Sequence, residues 1–82
     1  MTYFKLRNDM SIATLTRIVN AVYDIANVLE ITLIPEVKAK DVLDARLYIF
    51  PPENREMMHQ IEDMISNRVS LPIHALTLLE ED

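Results

Sequence analysis

The residues able to do chemistry are few and scattered. His59 and His74 are the only imidazoles, Ser11, Ser66 and Ser70 the only serines, and there is no cysteine. Without cysteine there is no disulfide, thiolate nucleophile or thiolate metal ligand, which fits a reducing compartment. The two histidines fall in different predicted elements, His74 on a mostly apolar strand, and no carboxylate cluster accompanies them, so zinc spacing is missing. Glu62 and Asp63 are adjacent on a predicted helix and point apart. Asp41 and Asp44 flank a predicted connection and read as a solvated turn. The serines stand at predicted cap or loop positions, outside any nucleophile-elbow context. Acid–base and nucleophilic catalysis need convergent groups. The expectation is therefore a non-enzyme, with no cofactor and no metal.

Glycine is absent altogether, where average usage of about 7% would give roughly six. Phosphate-cradling loops depend on glycine, so the usual nucleotide-binding loops are excluded. Turns fall to Asn, Asp and Pro.

Two residue patterns suit recognition rather than catalysis. In TYFKLR, residues 2–7, Tyr3, Lys5 and Arg7 alternate with Phe4 and Leu6. In ARLYIF, residues 45–50, Arg46, Tyr48 and Phe50 alternate with Leu47 and Ile49. Each is a half-buried strand. If the two strands are neighbours, three aromatic and three basic side chains share one face. The second pattern lies on the longest periodic stretch, residues 11–30. At 100° per residue, Ile12, Leu15, Ile18, Val19, Val22, Ile25, Ala26 and Leu29 form one apolar stripe. The other side carries Ala13, Thr14, Thr16, Arg17, Asn20, Ala21, Tyr23, Asp24, Asn27 and Val28, of which only Arg17 and Asp24 are charged. Charge depletion with small and aromatic residues is the composition of an interface core. Ala13, Arg17, Asn20, Asp24 and Val28 are the primary candidates for contact with a partner, and Tyr3, Tyr48 and Phe50 the second group.

These faces need elements to position them. Ser11 caps the first helix. A strand follows over ITLIPE, residues 31–36, which Pro35 either confines to a sheet edge or ends. Residues 36–44 read as a long hairpin connection or one helical turn. After Pro51-Pro52, with Pro52 in the first turn, a second helix runs from about residue 53 to residue 67. Its stripe is Met57, Met58, Ile61, Met64 and Ile65, with Asn67 as a left-handed cap. Its outer face, Arg55, Glu56, His59, Gln60, Glu62, Asp63 and Asn67, is dressed for water. A last strand lies within LPIHALTLL, residues 71–79.

The order β-α-β-β-α-β is the ferredoxin-like α+β arrangement, two helices on one face of a four-stranded antiparallel sheet. Right-handed crossovers put the first and third strands in the centre. The expected organisation is one domain spanning residues 1–82. The aromatic face resembles the RNA-recognition motif, whose binding aromatics sit on these same two strands. ARLYIF lacks that family's glycines and longer basic-aromatic run. The element order is also similar to ACT-type regulatory domains, which bind amino acids near the turn into the first helix, usually with a glycine there. The turn here is Asn8-Asp9-Met10-Ser11.

The chain has 82 residues, half of them apolar, a quarter charged, and a net charge of −5. That balance is globular. No apolar run approaches the roughly 18 residues of a membrane span, and MTYFKLRND has no apolar run behind its basic residues, so no secretory signal is read. Net acidity counts against nucleic acid and anionic membranes. The reading is a small acidic cytoplasmic module that binds another protein or itself, as an adaptor, regulatory or inhibitory subunit. An ACT-like small-molecule sensor is the alternative, followed by a single-stranded RNA platform.

Overall fold

A computed structural model describes residues 2–39, 44–51 and 55–81. The elements are β1 (Thr2–Leu6), α1 (Ile12–Leu29), β2 (Ile34–Ala39), β3 (Ala45–Phe50), α2 (Arg55–Arg68) and β4 (Leu76–Glu80). The sheet is antiparallel with order β2-β3-β1-β4, so the first and third strands are central. This is the ferredoxin-like α+β arrangement.

Alternation decides which side of each strand is covered. Phe4 pairs with Leu47 across β1 and β3, and with Leu78 across β1 and β4. These three, with Leu6 and Ile49, meet Ile18, Val22 and Ile25 of α1 and Met58, Ile61 and Ile65 of α2 in one core. No buried side-chain polar atom among the described residues lacks a partner.

Both ends of α1 are stopped by named contacts. The Ser11 hydroxyl accepts from the Thr14 N–H at 3.1 Å, meeting one of the free donors of the first turn. At the other end Glu30 adopts left-handed backbone, φ 56°. Its N–H donates to the Asn27 carbonyl at 3.3 Å, and the Ile31 N–H donates to the Ala26 carbonyl at 3.0 Å. That pair of bonds is a Schellman motif, a position where glycine is usual.

This cap explains one departure from the sequence expectation. Ile31 belongs to the helix end, so β2 begins at Ile34 rather than residue 31 and continues through Pro35 to Ala39. Pro35 lies inside an edge strand and does not end it. Residues 36–39, expected in a connection, are strand; residues 40–43 lie outside the described residues.

β4 is likewise later than expected. Leu71 to Ala75 form a turn in which the Ala75 N–H donates to the Pro72 carbonyl at 3.2 Å. His74 has φ 57° there, so it is not a strand residue. The last turn of α2 extends to Arg68, whose charge suits the negative end of the helix. Asn67 is therefore inside the helix rather than its cap, and Ser66 is helical as well. The expected Pro52 first turn lies outside the described residues.

Candidate functional site

α1 sits with its buried sector turned further toward α2 than the hydrophobic stripe implies. Ile18, Ala21, Val22, Ile25 and Ala26 are buried. Ala21, expected on the outer face, is only 3% exposed, and Thr14 is half-buried. Ile12 and Leu29, expected in the stripe, are exposed, Ile12 at 82%. Ile12 and Leu29 are the first and last residues of the helix, and Ala21 lies where Arg68 and Val69 come up against α1.

Ala13, Arg17, Asn20, Asp24 and Val28 remain on one exposed side of α1. Arg17, Asn20 and Asp24 line a shallow groove of about 180 Å³ with Ala21, Arg68 at the end of α2, and Val69 just after it. Ala13 and Val28 lie beyond it at the two ends of the same stripe. Arg68 is a contributor that sequence reasoning missed. Only the packing of the end of α2 against the middle of α1 brings it into the groove with Asp24. The groove is smaller than the roughly 300–1,000 Å³ of small-molecule sites. It offers two guanidinium groups, a carboxylate and an amide.

The second group lies on the side of the sheet away from the helices. Tyr3 and Tyr48 have ring centroids 5.5 Å apart, and Tyr48 and Phe50 stack at 6.2 Å. The Arg46 guanidinium sits 4.5 Å from the Tyr3 ring centroid, and the Lys38 ammonium 5.3 Å from that of Tyr48. Arg46 donates from Nε and Nη2 to the two carboxylate oxygens of Asp44, at 3.0 and 3.3 Å, and from Nη1 to the Tyr48 hydroxyl at 3.4 Å. That hydroxyl donates to Glu81 at 2.8 Å. The bond to Asp44, then the one to Tyr48, raises the Arg46 pKa above its already high ordinary value.

The consequence is that this face is closed by its own side chains. Tyr3 is 7% exposed and Tyr48 6%, whereas base stacking needs open ring faces. The platform geometry inferred from alternation is present, with its rings covered. Phe50 is half-buried.

His74 separates two further depressions. One of about 540 Å³ is lined by residues including Glu62, Ser66, Ser70 and His74. The other, about 300 Å³, is lined by Lys5, Leu6, Arg7, Asn8, His74 and Thr77. Arg7 anchors this turn by donating from Nη1 to the Ile73 carbonyl at 2.9 Å and pairing with Asp9 at 2.7 Å. Among the described residues no three His, Asp or Glu converge on a metal position, and no helix is long and apolar enough to cross a membrane.

No protein-family model, curated protein or solved structure matches the chain.

Proposed function

We propose that this chain is a small acidic, non-enzymatic protein–protein interaction module, an adaptor, regulatory or inhibitory subunit working in the cytoplasm. The observation that carries this reading is the contrast between its helices. The outward stripe of α1 exposes Val28 at 62% and carries only two charges, Arg17 and Asp24. The outward face of α2 carries Arg55, Glu56, His59, Gln60 and Asp63. Interface cores are depleted in charge and enriched in aromatic residues. The groove beside Arg17, Asn20 and Asp24 adds polar groups that fix a partner's register.

Val28→Asp tests the reading, since Val28 is exposed and the change spares the core. From its native cell, a tagged wild-type chain is expected to retain a partner that the Val28→Asp chain loses while keeping its circular dichroism. A variant that retains every partner refutes the α1 surface.

One observation favours a second reading. The depression lined by Lys5, Arg7, Asn8, His74 and Thr77 lies at the turn into α1, where ACT-like sensors bind their ligands. Its cationic lining suits a small carboxylate. Chemical-shift changes of Asn8 and Thr77 on adding amino acids are its expected signature, and unchanged shifts reject it.

A further inference from the structure

We propose that two copies of this chain pair antiparallel through the free edge of β2, in a two-fold register centred on Val37. The proposal concerns a different surface from the outer stripe of α1 and does not depend on it.

β2 is the edge strand next to β3. Opposite residues of an antiparallel pair share a face. Val37 pairs with the core residue Leu47, so Val37 lies on the helix side; Glu36 pairs with Tyr48 and Lys38 with Arg46, on the outer side. A two-fold axis normal to the sheet keeps each face on its own side, so only registers joining residues of the same parity are allowed. Centring on Glu36 sets Glu36 against its own copy. Centring on Lys38 sets lysine against lysine. Centring on Val37 sets Glu36 of each copy against Lys38 of the other, twice. Like charges directly opposite are unfavourable and unlike charges favourable, so the strand's own charge pattern selects this register. Within each chain the same two side chains are already 3.7 Å apart, and pairing exchanges these two contacts, one per copy, for two between copies.

The backbone agrees with the charges. Pro35 spares the ladder to β3 when its nitrogen faces the free edge. Val37 and Ala39 share its parity and so turn their N–H and C=O groups outward. In the Val37 register, each Val37 N–H donates to the other Val37 carbonyl. Each Ala39 N–H donates to the Pro35 carbonyl of the second copy, which needs no N–H from proline. The helix side of the edge is apolar: Val37 is exposed there. α1 packs on β2 and, on its other flank, against α2. With Arg17, Ala21 and Asp24 turned to α2, the flank of α1 bearing Ile12 and Tyr23 lies toward the edge at 100° per residue. Both are exposed, and pairing covers them together with Val37.

Sedimentation equilibrium of the purified full chain, from low micromolar to millimolar concentration, tests this. Wild type is expected to be a reversible dimer. Glu36→Lys and Lys38→Glu should each weaken it by at least about tenfold, as both unlike pairs become like pairs. The double exchange Glu36→Lys/Lys38→Glu should restore it. A wild-type monomer throughout, single exchanges without effect, or a double exchange that fails to restore the dimer each overturns the proposal. Isotope-filtered NOEs between labelled and unlabelled wild-type copies are expected at Val37 and need no variant; a dimer lacking them is built elsewhere. Failure of the α1 reading would appear separately, as a dimer intact while Val28→Asp retains its partners.

Discussion

Tyr48 is the hub of the uncovered side of the sheet. Its ring touches Tyr3 and Phe50, and its hydroxyl links Arg46 to Glu81. Tyr48→Phe removes only the hydroxyl and is expected to cost about 1 kcal/mol. Tyr48→Ala also removes the ring and should cost about 3 kcal/mol. Urea unfolding of both variants measures the difference. Ala21 and Val28 make a second contrast. Ala21→Asp buries a charge between α1 and α2 and is expected to abolish folding, while Val28→Asp should change stability by no more than about 0.5 kcal/mol. Thermal melts distinguish the two directly. The side of each residue on β1 and β3 was legible from alternation alone. The closure over Tyr3 and Tyr48 was not, because it depends on Glu81, from beyond β4, meeting the Asp44–Arg46–Tyr48 segment. Ala21 was misplaced because alanine is neutral to the hydrophobic pattern, and only the approach of α2 assigns it a side.

At the level of elements, the ends of α1 are where local chemistry is clearest. Ser11→Ala should cost about 1 kcal/mol by removing the cap on the Thr14 N–H. Glu30→Gly should stabilise by about 0.5–1 kcal/mol. It relieves a left-handed residue that bears a Cβ, and it removes a negative charge from the negative end of the helix. Chemical denaturation gives both signs. The Ser11 cap and the bounds of β3 were legible, because Asn8-Asp9 and Pro51 punctuate the sequence around them. The start of β2 was not: Ile31 and Thr32 have strand-forming side chains, yet the Ile31 N–H is committed to closing the helix. The run LPIHALTLL hid its turn for the same kind of reason. Its apolar residues read as one strand, while Pro72 and the left-handed His74 hold Leu71 to Ala75 out of the sheet.

For the molecule as a whole, element order and the right-handed crossover rule were enough to place β1 and β3 in the centre. What covers a surface is a longer-range matter. The outer sheet face satisfies itself. α1 leaves a sparsely charged stripe in water, and β2 presents an edge whose charges complement their own mirror order. A chain of 82 residues has a small core, so anything that binds only the folded chain would raise its stability by mass action. The central claim is that α1, not α2, receives a protein partner. With the partner captured by the wild-type chain in hand, calorimetric titration of Arg17→Glu, Val28→Asp and Asp63→Lys tests it most directly. The account predicts at least about tenfold weaker binding for the first two, as expected for contact residues, and unchanged affinity for Asp63→Lys on the solvated face of α2. Unchanged affinity for Arg17→Glu and Val28→Asp, with binding lost in Asp63→Lys, would contradict it.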